Sequence, residues 1–452
     1  MMHNSSIHKK VTHSPLITGT LTLTISGFLT RIMGFFHRIY LSQLIDAREM
    51  GIYQLIFPVY MVTFAFCCHG IELALSQMVA SIHGKHAHNI SCHNLVKTAS
   101  ALSLICSLLI SITLYYYADF ISTYLLNEPD STLCLKLLAP VLPFTAVRCC
   151  LHGYYIGIKK TSVPAVGQLI EQAVRIFIIW LIATSYSETM TFTAALAVCG
   201  MVIGEIAGTI YTYISYKIHT GSQNCACDLK KSPHTNLEFL KNAKALLSRA
   251  IPLTGNKLSL TLASSLEAVL IPFMLTKYYQ NQDLALSIYG VLTGMALPFI
   301  TFPSTLTNSL SVMLLPTISE AHASGNTKQI RHTIKRTVKL CLSLGFTALI
   351  IFFFFGKQLG SYVFNNPSAG DFLFILSFLC PFFYMSSSGT SILNGLGLMK
   401  NAFFYSLTGI GIRIGFIVFA VPELGIQGYL IGLLMAQLVM AGLQWGKIRG
   451  SV

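Results

Sequence analysis

The sequence predicts an all-α polytopic membrane protein of about twelve transmembrane helices in two six-helix lobes. Three observations predict it. Of 452 residues, 53% are hydrophobic and 10% charged, where a soluble domain carries about a quarter charged residues. Mean hydropathy is +0.64. Apolar runs of about 20 residues or more, enough to cross a bilayer, recur along the whole chain. Lysine and arginine alternate sharply between the connections on either side of those runs.

The first expected span is 16–43, preceded by a polar stretch from His3 to Pro15. The apolar run after that stretch is too long for the h-region of a cleavable signal, so the first segment is expected to stay in the membrane. The others are 52–82, 95–117, 132–157, 162–184, 191–216, 246–275, 284–316, 333–355, 371–396, 401–420 and 424–446. One set of connections holds most of the cations, from Lys9, Lys10 and Lys85 through Lys159, Lys160, Lys217, Lys230 and Lys231 to Lys328, Arg331, Lys335, Lys339, Lys400, Lys447 and Arg449. The other set holds only Arg48, Lys277 and Lys357 with most of the acids, among them Asp119, Asp283 and Asp371. The positive-inside rule then makes both termini cytoplasmic. The net charge of +14 belongs to this topology, not to a nucleic-acid face.

The longest polar connection, 217–245, divides the chain into lobes 1–216 and 246–452. The halves are weakly similar. GYYIGIKK (153–160) recurs as NGLGLMK (394–400), and each precedes a span carrying Arg175 or Arg413. GIYQLIFP (51–58) is echoed by SIYGVLTG (287–294). Both halves cross the same way, which predicts repeats related by an axis along the membrane normal and a site near the midplane. Pro58, Pro140, Pro143, Pro252, Pro298 and Pro303 interrupt spans, as hinges or as plain kinks.

The charged residues at membrane depth carry the functional argument. Arg31 and Arg38 are seven apart on the first span, two helical turns, so they share a face. His37 lies beside them. An arginine at the bilayer centre costs about 3 kcal/mol or more, so the pair is expected to face a polar interior, contacting substrate or pairing with Glu72. Arg148, Arg175, Lys257 and Arg413 join them as candidate cavity cations. Glu72, Glu171, Glu205 and Glu267 are candidate charge partners or ion-coupling groups. Arg175 is four after Glu171, the spacing of an intrahelical pair, so pairing and ligand contact both stand. Arg413 has Gly409 where that acid would be. Lys136, near a span end, is expected to snorkel. The excess of guanidinium groups suits an anionic head group such as a pyrophosphate.

No cofactor or metal is called for. HGKHAHNISCH (83–93), and Cys225 with Cys227, have the residue types of a metal site but not a standard spacing. The twelve cysteines are scattered and suggest no disulfide framework. Neither a phosphate-binding glycine loop nor a nucleophile elbow is present, so an enzyme is not expected.

TRIMGFFHRIYLSQLI (30–45), PAVGQLIEQAVRI (164–176), PLTGNKLSLTLASSLEAVLIP (252–272) and the stretch 290–321 carry a resemblance. They resemble the sporulation, polysaccharide-exporter-like branch of the multidrug/oligosaccharidyl-lipid/polysaccharide (MOP) flippase superfamily. Arg31 and Gly34 match an Arg-x-x-Gly motif shared with the lipid II flippases. The resemblance implies a V-shaped, MATE-like fold with a cavity opening alternately to each side. It implies flipping of a lipid II-like cell-wall or spore-cortex precursor, with membrane lipids and cell-wall synthases as partners and the forespore-surrounding membrane as a location. The chain ends after twelve spans, without the two further helices of many relatives. A multidrug cation antiporter of the same superfamily would want an acidic pocket. A polytopic enzyme or scaffold of cell-wall polysaccharide assembly is the reading from another class.

Overall fold

In lipid every backbone polar group must be satisfied within the chain, which leaves an apolar run the choice of helix or closed barrel. The computed structural model describes residues 15–85, 92–186, 192–221 and 236–451, and those residues form helices without strands. We number the long ones in chain order. They are α1 Pro15–Leu44, α2 47–85, α3 Cys92–Tyr116, α4 Pro129–Gly157, α5 Ser162–Tyr186 and α6 Ala194–Gly221. Next come α7 Asn236–Tyr279, α8 282–323 with a break at Phe302 and Pro303, α9 Thr327–Phe364, α10 Pro367–Gly395, α11 Met399–Phe419 and α12 Ile426–Ser451. Among the described residues eleven helices are long and apolar enough to cross a membrane. The remaining one is α1, which carries the two arginines and His37. The chain is thus an all-α, multi-pass membrane protein.

Several helices outrun the expected spans. α7 starts ten residues before 246 and α9 runs from 327 to 364. Hydropathy marks only the part of a helix that meets lipid. Nothing in the polar first turns of either helix breaks the backbone ladder, so the helix continues into the aqueous layer.

The Cα positions group into two compact units. The first comprises 1–33, 59–190 and 195–261; the second comprises 34–58, 191–194 and 262–452. Relative to the expected lobes, residues 34–58 group with the later half and 246–261 with the earlier half.

In the first unit, Ile71, Leu75 and Val79 of α2 pack with Leu95 of α3, Tyr154 and Tyr155 of α4, and Leu246 of α7. Pro143 cannot donate to the Ala139 carbonyl four residues earlier. The Leu142 N–H, in a local 3₁₀ turn, and the Ser111 hydroxyl, at 2.6 Å, donate to that oxygen instead, which is how a proline kink is tolerated in a membrane helix. Lys136 pairs with Asp119 at 3.0 Å. Among the described residues the ten cysteines form no disulfide. Of the histidine-rich stretch, residues 86–91 lie outside the described residues, as do Cys225 and Cys227. His93 hydrogen-bonds the Tyr216 hydroxyl at 2.8 Å.

In the second unit, Ile318 of α8, Ile330 of α9, Ile392 and Leu393 of α10 and Ile448 of α12 form a core. Arg48 meets Asp283 at 2.5 Å, and Lys357 lies 3.6 Å from Asp371. Each pair joins residues that the charge pattern assigns to the same side. The two echoed motifs pack on each other. A Cβ on Gly290 would collide with the Gly51 backbone and the Ala47 carbonyl. Small residues let backbones approach in this way. Gly290→Ala should therefore destabilise the protein by about 1–3 kcal/mol, as overpacking does. Thermal unfolding of the detergent-purified protein checks this, and an unshifted midpoint would refute the tight contact.

The other repeated motif also has a structural meaning. α4 ends with Lys159 at φ 61°, and α10 ends with Gly397 at φ 78°. Lys160 N–H bonds Tyr155 O and Leu398 N–H bonds Leu393 O, both at 2.9 Å. Both are Schellman-type terminations with a left-handed residue, 238 positions apart.

Candidate functional site

Most of the charged residues at membrane depth fall into two clusters, one in each unit. In the first unit, Arg148 on α4 reaches two acids. Its Nη1 donates to Glu171 Oε2 of α5 at 2.5 Å, and its Nη2 donates to Glu205 of α6 at 2.6 and 2.7 Å. Arg175 Nη2 donates to Glu171 Oε1 at 2.5 Å, one turn along the same helix. Its Nη1 reaches Gln172 Oε1 at 3.3 Å. Two guanidinium groups face two carboxylates, so this four-residue network is neutral. The side chain of Glu205 is 3% exposed, and an acid that deep needs its partner.

A row of glycines brings the helices close enough for this. Gly200, Gly204 and Gly208 recur every four residues on α6, so they share one face. A Cβ on Gly204 would meet the Glu171 carbonyl at 2.6 Å, and one on Gly208 would lie 3.4 Å from Arg148 Nη1. This is the small-xxx-small interface of membrane helices. The sequence carries the signal in CGMVIGEIAG (199–208), where the acid alone stands out by its charge.

Arg31, also in the first unit, is exposed, and among the described residues no ion pair joins it to Glu72. Glu72 is half-buried, within electrostatic range of Arg148. Lys257 is exposed.

In the second unit, Arg413 on α11 makes a fork-on-fork pair with Glu267 on α7. Arg413 Nε to Glu267 Oε1 is 2.6 Å, and Nη2 to Oε2 is 2.9 Å. The Tyr429 hydroxyl of α12 donates to Glu267 Oε1 at 3.0 Å. Arg413 thus takes from another helix the acid its own helix lacks. The pair lies on the wall of a cavity of about 350 Å³ that Arg38, Thr293, Tyr429 and Gln437 also line. Arg38 is half-buried and His37 buried. Two arginines and one glutamate leave the cavity wall with a net charge of plus one. Threonine, tyrosine and glutamine add neutral donors beside it, so the lining suits an anion with several acceptor oxygens.

A family model described as "Polysaccharide biosynthesis protein" matches residues 16–322. The chain belongs to that family. A second model, MatE, matches residues 260–419, and together these matches place the chain in the MOP flippase superfamily. Stage V sporulation protein B of Bacillus subtilis (strain 168) is 26% identical over 419 residues, covering 91% of this chain and 79% of the relative. Lipid II flippase MurJ of the same organism is 22% identical over 423 residues, covering 89% and 76%. Among solved structures, one titled "Lipid II flippase MurJ, inward closed conformation" is similar with a TM-score of 0.71. It is 14% identical and covers 95% of this chain and 87% of its own. Within this family the chain is a membrane flippase or transporter and not an enzyme. The fold expected from the sequence is the fold found.

Proposed function

We propose that the protein is a secondary flippase for an anionic, lipid-linked saccharide of the lipid II class, working by alternating access. The cavity lined by Arg38, Arg413 and Glu267 carries the proposal, because its net positive wall with neutral donors suits a sugar-linked pyrophosphate. The relative named as a lipid II flippase supports the same substrate class. With both termini cytoplasmic, the head group enters from the inner leaflet and leaves toward the cell-wall synthases that consume it. In a sporulating cell the membrane around the forespore is the location. The drive is an ion gradient or the membrane potential, which supplies about 2.3 kcal/mol per charge per 100 mV. A cation antiporter would need an acidic pocket, and the charge balance here is the reverse.

Liposomes containing the purified protein and fluorescent lipid II test the proposal. Translocation should exceed that in protein-free vesicles and should fall at least tenfold in the Arg31→Ala, Arg38→Ala double variant, since each charge-assisted hydrogen bond contributes about 1.5–3 kcal/mol. Translocation unchanged in that variant would overturn the assignment. Polymer formed from the labelled sugar by the protein alone would replace it with an enzyme.

A further inference from the structure

A second cavity, of about 640 Å³, lies within the second unit, apart from the Arg38 cavity. It runs along one face of α9, where Arg331, Lys335, Val338, Lys339 and Leu342 succeed one another at helical spacing. From Arg331 to Leu342 the groove is about 16 Å long at 1.5 Å per residue. One row along α9 carries Arg331, Lys335 and Lys339, four residues apart, and Arg449 from α12 lines the same groove. A neighbouring row on the same helix, Ile334, Val338 and Leu342, is apolar, and Met385 and Ile448 line the groove beside it. Among the described residues, Lys335, Lys339 and Arg449 enter no ion pair. The Trp445 indole N–H is on this wall and has no acceptor among them.

We propose that this groove binds an acidic phospholipid of the surrounding bilayer, its phosphate held by the four cations and one acyl chain laid between α9, α10 and α12. The division of the groove makes the case. The basic row and the apolar row run side by side along 331–342, where α9 meets its apolar run, so one groove offers partners to both a phosphate and a chain. Basic pockets between membrane helices bind anionic head groups in this way. The polar stretches 1–14 and 222–235 are poor occupants. They hold Lys9, Lys10, Lys230 and Lys231 against Asp228, so they share the sign of the groove. A neutral lipid leaves Lys335, Lys339 and Arg449 unanswered.

Trp180 and Trp445 are the only tryptophans, so Trp180→Phe leaves a fluorophore in the groove. In nanodiscs, brominated-chain phosphatidylglycerol should quench Trp445 at lower mole fractions than brominated phosphatidylcholine does. Lys335→Gln, Lys339→Gln and Arg449→Gln together should weaken the phosphatidylglycerol effect about 100-fold, at roughly fivefold per cation. Lys339→Gln alone should give about a fivefold loss, a graded check should the triple variant fold poorly. Equal quenching by the two lipids would overturn the proposal. So would a triple variant with undiminished preference, or displacement of phosphatidylglycerol by stoichiometric undecaprenyl phosphate, which would give the groove to the polyprenyl tail of a transported lipid.

Discussion

Arg148→Ala is expected to destabilise the protein by about 3–5 kcal/mol, the loss seen when one partner of a buried ion pair is removed. The reason is the state of the survivors. Glu205 is 3% exposed and takes two of its hydrogen bonds from Arg148. Without the guanidinium it is a buried carboxylate with no cation, while Glu171 keeps Arg175 at 2.5 Å. Thermal unfolding of detergent-purified protein reads the effect. Adding Glu205→Gln to Arg148→Ala should recover a large part of the loss, because the buried charge leaves with its partner. If Arg148→Ala melts with the wild type, the network does not hold the first unit together. If the double variant is no better than the single, burial of the acid is not the cause.

The second large effect is expected at Arg413. Arg413→Gln leaves Glu267 facing Arg38's cavity without its fork-on-fork partner. The wall then drops from a net charge of plus one to zero. Two losses should result: about 3–5 kcal/mol in stability and at least tenfold in translocation of an anionic lipid. They separate in a second variant. Arg413→Gln with Glu267→Gln removes both charges, so stability should largely return. Translocation should stay low, because one of the two guanidinium groups on the cavity is still missing. A double variant that regains both would make the pair structural and remove Arg413 from the substrate path.

The outline of this fold was legible from local pattern, and its site was legible only in part. Each expected span falls on one of the twelve helices, because hydropathy reports on every residue that meets lipid. The cost of a charge at that depth also said that Arg148, Arg175 and Arg413 had polar company. Sequence separation hid which residues supplied it. Glu267 is 146 positions from Arg413, and Glu205 is 57 from Arg148; only Glu171 and Arg175, one turn apart, were readable as a pair. Tyr429 had no signal, since a tyrosine in an apolar helix reads as bulk until its hydroxyl finds an acid. The seven-residue spacing predicts one face of α1 for Arg31 and Arg38, yet of the two only Arg38 lines the cavity. The division of compact units between residues 33 and 34 is a tertiary fact with no local trace.

The matched helix ends at Lys159 and Gly397 fix a register between the halves, and that register has a consequence for their divergence. At a shift of 238 positions Arg175 falls on Arg413, whereas Glu171 falls on Gly409 and Arg148 on Ser386. The arginine is common to both copies, and its counter-ion is not. One half neutralises it from its own helix, the other from α7.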